Sequence, residues 1–252
     1  MLAKKNIPNL KKVEIEITTR CNLHCYNCDR SCRQAPSRES MSLEQIKKFV
    51  NESINLNWDW ECIGVIGGEP TLHPEIIKIL KILKKFKLFK RNNNNECKIE
   101  VVTNGFGTAT NKVLSNLPLW VDIRNSNKKS PNQTFETYNI APIDLENVKN
   151  VDFSTGCIIC SRDGLGLTRY GYYPCGAGAS VDRVFGKDIG IKRLENVNIP
   201  NLTTQLKILC SYCGHFKYGN IDSKKVKRVA ISKTWKKAYE EYKLKKPSLK
   251  LY

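Results

Sequence analysis

The chain has 252 residues, 40% of them hydrophobic and 26% charged, which is long enough to bury a full core and ordinary for a globular protein. No apolar run approaches the roughly 18 residues a membrane helix needs. The start, MLAKKNIPNL, is basic with no apolar segment behind it, which excludes a secretory signal and makes the cytoplasm the expected location.

In chain order, Lys12 to Thr18 (KVEIEIT) alternates Val13, Ile15 and Ile17 with Lys and Glu and reads as a strand. A loop rich in cysteine follows. Ser42-Leu-Glu-Gln45 makes a capping-box start for a helix with Leu43, Ile46, Phe49, Val50 and Ile54 at helical spacing. Ile63 to Ile66 is a second strand, ending in Gly67-Gly68-Glu69-Pro70. Pro74 to Phe89 reads as helix, Lys98 to Thr103 as a third strand closed by Asn104-Gly105, and Asn111 to Leu117 as a short helix. Leu119 to Asn125 (LWVDIRN) is a fourth strand. The polar, proline-bearing segment from Ser126 to Asn147 reads as a loop or a substrate-facing segment.

Cys157 opens a cysteine-rich stretch with a hairpin-like LGLTRYGYYPC, and Ser232 to Lys246 fits an amphipathic helix through Trp235, Ala238, Tyr239 and Tyr242. Alternating β and α segments imply a parallel sheet with helical crossovers. Ligands of such sheets lie at the carboxyl ends of the strands. The cysteine loop, GGEP, TNG and Arg124-Asn125-Ser126 all follow strand ends, so they are expected on one rim.

Formal charge is +18, and the isoelectric point is about 9.4. The basic stretches at Lys78 to Arg91 and at the C-terminus could meet nucleic acid or an acidic substrate. A lysine- and asparagine-rich bias over solvated helix faces is the preferred reading, and NNNN at 92–95 agrees with it.

Eleven cysteines stand in the chain, nine of them in two groups. Cys62 and Cys97 sit in strand-like runs and read as small buried hydrophobes. Cys21, Cys25 and Cys28 have the spacing C-x3-C-x2-C, with Cys32 a turn further on. A [4Fe–4S] cluster normally takes four thiolates, so three ligands in a short loop leave one iron open, as catalytic zinc sites keep an open position. Structural zinc with Cys32 as fourth ligand is the alternative on spacing alone.

These residues resemble the radical S-adenosylmethionine (AdoMet, SAM) enzymes: Cys21, Cys25 and Cys28 after a first strand, Gly67-Gly68-Glu69-Pro70 after the second, and Thr103-Asn104-Gly105 after the third. One position departs from the family pattern, since Asn27 stands where an aromatic residue usually precedes the third cysteine, with Tyr26 one place earlier. The resemblance implies an α/β fold, a partial (β/α)6-type TIM barrel, with a small C-terminal cysteine-rich α+β module. It implies a [4Fe–4S] cluster on Cys21, Cys25 and Cys28 whose open iron chelates AdoMet, with Cys32 a bystander. Gly67, Gly68, Glu69, Pro70, Thr103 and Asn104 would bind AdoMet, the Glu69 region accepting from its ammonium group. Arg124, Asn125 and Ser126 would reach its ribose or carboxylate. Cluster reduction then gives a 5′-deoxyadenosyl radical that takes hydrogen from a substrate.

Cys157, Cys175, Cys210 and Cys213, with Cys160 as the alternative to Cys157, resemble the twitch or SPASM auxiliary-cluster module and imply one further [4Fe–4S] cluster. A zinc ribbon is also compatible with the two CxxC pairs. The expected organisation is a core at 12–150, the module at 151–220 and a basic helical tail at 221–252.

An auxiliary cluster favours net oxidation of a small, sugar-like or other metabolite substrate. The start of the chain so near the first strand leans away from a leader-binding peptide maturase, the second reading. A zinc-containing nucleic-acid-binding protein is a third. Arg162 and Asp163 are candidates for the base by position, although a surface turn, Arg-Asp-Gly, is the preferred reading. His24, His73 and His215 are the only histidines, and His24, inside the cysteine loop, reads as a packing or solvent-facing residue rather than a ligand. The expected partners are a small-molecule or peptide substrate and an electron donor such as flavodoxin or ferredoxin, with no membrane and with nucleic acid not favoured.

Overall fold

A computed structural model describes residues 5–93, 95–135, 137–146, 151–216 and 231–252. Six strands form one sheet: β1 (Lys12–Thr18), β2 (Cys62–Gly67), β3 (Lys98–Thr103), β4 (Asp122–Asn125), β5 (Leu165–Thr168) and β6 (Gly171–Tyr173). Their order is β4-β3-β2-β1-β5-β6. Every neighbouring pair is parallel except β5–β6. The fold is therefore α/β with a mostly parallel sheet.

The alternation in β1 has a specific meaning in such a sheet. Val13, Ile15 and Ile17 face the core shared with the helices, as do Ile63 and Val65 of β2 and Ile99 and Val101 of β3. The opposite face carries Glu14, Glu16 and Glu100, all held to low exposure. Parallel strands covered on both faces read as continuous apolar runs. The glutamates therefore mark a polar concave face.

The helices cover the other side. α1 (Leu43–Asn55) begins at the expected capping box: Gln45 N–H donates to the Ser42 hydroxyl, and the Gln45 side chain accepts from the Ser42 N–H. It buries Ile46, Phe49 and Val50. α2 (Ile76–Asn92) buries Ile76, Ile79, Leu80, Leu83 and Phe86, and its lysines face outward apart from Lys90, which is buried and paired with Asp59 at 2.9 Å. α3 (Thr108–Leu114) starts earlier than its periodicity implies, because Gly107 at φ 93° ends the preceding loop there. β4 is shorter than expected. Leu119 is fully exposed and belongs to the turn before it.

The LGLTRYGYYPC hairpin forms as expected, but it is not separate from the core sheet. β5 pairs with β1 on the side opposite β2. Two intervening residues, Arg169 and Tyr170, are too few for a crossover, so β6 must return antiparallel. Six β/α units are therefore not what the described residues form; four strands lead into loops and helices, and a hairpin completes the sheet.

A second core joins α4 (Ile158–Arg162), α5 (Gly176–Phe185), α6 (Ile199–Leu209) and α7 (Lys233–Leu244). Its members include Tyr138, Cys160, Cys175, Val181, Leu206, Cys210, Cys213 and Trp235. The face of α7 predicted from Trp235, Ala238, Tyr239 and Tyr242 is the buried one. Asn94 of NNNN, residues 147–150 and 217–220 of the expected domains, and 221–230 of the basic tail lie outside the described residues. No described helix is long and apolar enough to cross a membrane.

Candidate radical SAM site

Three strand-end loops are joined by backbone and by one carboxylate. Gly68 N–H donates to Thr18 O at 2.9 Å, and Glu69 N–H to Arg20 O at 2.8 Å, so the β2 loop continues the register of β1. A Cβ on Gly67 would lie 2.4 Å from Thr18 O, and one on Gly68 would lie 2.4 Å from Arg20 O and 2.8 Å from Cys21 Cβ. Only glycine allows this approach.

Glu69 has no exposure. Its Oε1 accepts from Thr71 N and Oγ1 at 3.1 and 2.8 Å, its Oε2 accepts from Asn104 N at 2.9 Å, and Thr103 Oγ1 donates to both oxygens. The carboxylate thus ties GGEP to TNG and faces inward, away from the cavity lining. Pro70 begins the one-turn 3-10 helix behind it.

Asn22, which the motif reading passed over, completes the junction. Its amide accepts from Asn104 Nδ2 at 2.8 Å and donates to Phe106 O at 2.7 Å. The loop after β4 then lies along the cysteine loop. His24 N–H donates to Pro131 O and Tyr26 N–H to Gln133 O, both at 2.7 Å.

These contacts enclose a cavity of about 1170 Å³ lined by Cys21, Cys25 and Cys28, by Gly67, Gly68, Thr103 and Asn104, and by Ser126, Lys128 and Phe135. Phe135 is one aromatic residue that lines it, with Phe216; Tyr26 instead stacks under Arg33, 4.8 Å from ring centre to guanidinium. Asn27 is buried in the left-handed region at φ 53° and donates to Phe135 O at 3.2 Å, so the departing position shapes the loop. Lys128 and Phe135 lie in the segment read as substrate-facing, but no spacing rule singles them out.

Of the three β4 residues, only Ser126 reaches this cavity. Arg124 turns to the concave face and pairs with Glu100 at 3.2 Å and Glu14 at 3.5 Å. Asn125 Oδ1 accepts from Asn127 N–H at 2.8 Å and packs on Gly105. Arg162 and Asp163 both line the cavity, where Arg162 holds the Asp163 carboxylate by two bonds of 2.7 and 2.8 Å.

Burial pushes the Cys21 thiol up to about 12 and raises Cys25. Cys28 is lowered, chiefly by a hydrogen bond from Cys32. As bare groups the first two would stay protonated, and a positive metal centre is what would make them thiolates. The three thiols therefore fit an iron–sulfur cluster as donors, facing a space with glycine walls that admits a further ligand.

Cys157, Cys160, Cys175, Cys210 and Cys213 line a second, apolar pocket with Leu206, Leu209 and Phe216. Burial raises all five thiols. The Cys160 thiol donates to Cys157 O at 3.1 Å and is close to Asn6 O. Cys157, Ile159, Ala177, His215 and Phe216 line both this pocket and the main cavity. No three His, Cys, Asp or Glu side chains among the described residues converge on a single metal-ion position; the thiols surround a space.

Residues 15–119 match the family model described as the Radical SAM superfamily. Curated proteins named "Probable GTP 3',8-cyclase" from Methanococcus maripaludis and Methanococcus vannielii are 32% identical over 71 residues, which is 28% of this chain and 23% of theirs. The chain thus spans under a quarter of the length of these relatives. Among solved structures, BtrN in complex with AdoMet and 2-DOIA aligns with a TM-score of 0.47 and 14% identity over 82% of this chain and 93% of that one. Streptococcus suis SuiB bound to S-adenosylmethionine aligns with a TM-score of 0.31 and 16% identity over 47% and 23%. The matched residues 15–119 hold the three-cysteine loop and both glycine-rich strand ends.

Proposed function

We propose that this protein is an enzyme that cleaves AdoMet reductively and uses the resulting radical for a net oxidation of a small polar substrate. When bound, the [4Fe–4S] cluster supplies the electron that opens the AdoMet sulfonium to a 5′-deoxyadenosyl radical. Cys21, Cys25 and Cys28 hold it, Gly67 and Gly68 leave room for the methionyl end, and Thr103, Asn104 and Ser126 offer polar groups along the same wall. Glu69 acts indirectly here, by fixing the two loops.

One observation carries the oxidative reading: Cys157 lines both the main cavity and the second cysteine pocket. An auxiliary [4Fe–4S] cluster of the twitch type on Cys157, Cys175, Cys210 and Cys213 would sit beside the substrate and accept its electron. Cys157 is preferred to Cys160 because it lines both spaces, whereas the Cys160 thiol is turned to backbone carbonyls.

The cavity's charges bear on the substrate. Glu14, Asp29 and Asp163 stand against Arg30, Lys128 and Arg162. Such a balanced lining suits a neutral or zwitterionic, hydroxyl-rich molecule better than a nucleoside triphosphate, the substrate named in the curated relatives. It equally gives no electrostatic track for nucleic acid.

The test uses Cys175→Ala with AdoMet, reductant and deuterated candidate substrates. The variant is expected to form deuterated 5′-deoxyadenosine without oxidised product. Product at the unmodified rate would show that no electron passes through the second site.

A further inference from the structure

On the outer side of the cysteine loop lies a further concavity, of about 750 Å³, beside the main cavity. Arg20, His24, Arg33, Arg38 and Lys246 line it, all are exposed, and no acidic residue is among the described residues of its wall. The main cavity has acids and bases in equal number, so the one-sided charge here is a distinct property of this face. Cys21 lines both cavities, forming the partition between them. Cys32 lines the basic one as well. Arg33 also braces the loop from this side, donating to His24 O at 3.0 Å.

We infer that this basic concavity is the docking surface for an acidic one-electron carrier protein, a reduced flavin or iron–sulfur carrier, and that electrons enter behind Cys21 and Cys32. The inference rests on the radical SAM reading and adds the place where the partner docks. A lining whose charged residues are all basic favours an acidic protein face and speeds its encounter. Electron transfer falls steeply with distance, and nowhere else does the basic lining meet a ligand cysteine. One electron leaves the carrier and enters the cluster; no atom or proton need pass. Cys32, surplus to the three-cysteine motif, gains a role as a thiol of the loop that faces the carrier.

The experiment compares two reductants on R38E/K246E, two residues that make no hydrogen bond or ion pair with the described cysteine loop. With dithionite, the double variant should form 5′-deoxyadenosine at the unmodified rate and carry the same iron. With reduced flavodoxin, its rate should fall at least about ten-fold, with a higher half-saturating flavodoxin concentration, and the unmodified protein should slow as salt is added. A flavodoxin-driven rate within about two-fold of the unmodified protein overturns the docking surface. So does an equal loss with dithionite, or loss of RNA binding with no loss of flavodoxin-driven turnover. If the unmodified protein cleaves no AdoMet with either reductant, the functional reading fails and the docking proposal with it.

Discussion

At Glu69 each carboxylate oxygen receives one backbone N–H, Oε1 from Thr71 and Oε2 from Asn104, in a place water does not reach. A glutamine has the same shape, but its amide can accept at one of these positions only, and at the other its NH₂ would meet an N–H. Glu69→Gln should therefore lose about 2 kcal/mol of stability, read as a lower thermal midpoint, and should weaken AdoMet binding because the two loops separate. An unchanged midpoint would mean the loops are held by other contacts.

His73 offers a pH test four residues further on, at the end of the 3-10 turn. Its Nδ1 accepts from Glu75 N–H and its Nε2–H donates to Met41 O, both at 3.0 Å, which fits the neutral ring. Burial lowers its pKa from the usual value. The unfolded chain then binds the proton more readily, so stability is full above about pH 6.5 and declines as pH falls below it. Urea midpoints between about pH 7.5 and 5.5 should show this slope, and His73→Gln should flatten it.

β3 spans the residues its alternation marks, and the α1 cap forms where Ser42 and Gln45 place it, because both signals are local. The attachment of β5 to β1 has no such signal. It joins Val13 to Leu165 across most of the chain and depends on shape. Likewise Gly67 and Gly68 are legible as a loop, but the partner that demands glycine, the carbonyls of Thr18 and Arg20, appears only in the folded register. Gly68→Ala should push the β2 loop off Cys21 and cost the first cluster. Iron should fall from about eight to about four per chain, since the second cysteine group is untouched. Retention of all the iron would show that the close approach is dispensable.

Two cores and one sheet bring the first cysteine group and Cys157 of the second to the lining of a single cavity. The sequence shows both groups plainly, because thiol spacing is a local pattern. It does not show that Cys157 and Cys21 face the same space, or that Arg124 turns away to Glu14 and Glu100 while Ser126 remains. Nor does overall charge forecast either wall. A chain of net charge +18 has a charge-balanced central cavity and a wholly basic outer one.

The most direct measurement is 5′-deoxyadenosine formation by anaerobically reconstituted protein with AdoMet and dithionite. The unmodified protein should form it together with methionine, and Cys25→Ala, one thiol short in the first loop, should form none. Equal amounts from both proteins, or none from an iron-loaded unmodified protein, would contradict the assignment of Cys21, Cys25 and Cys28.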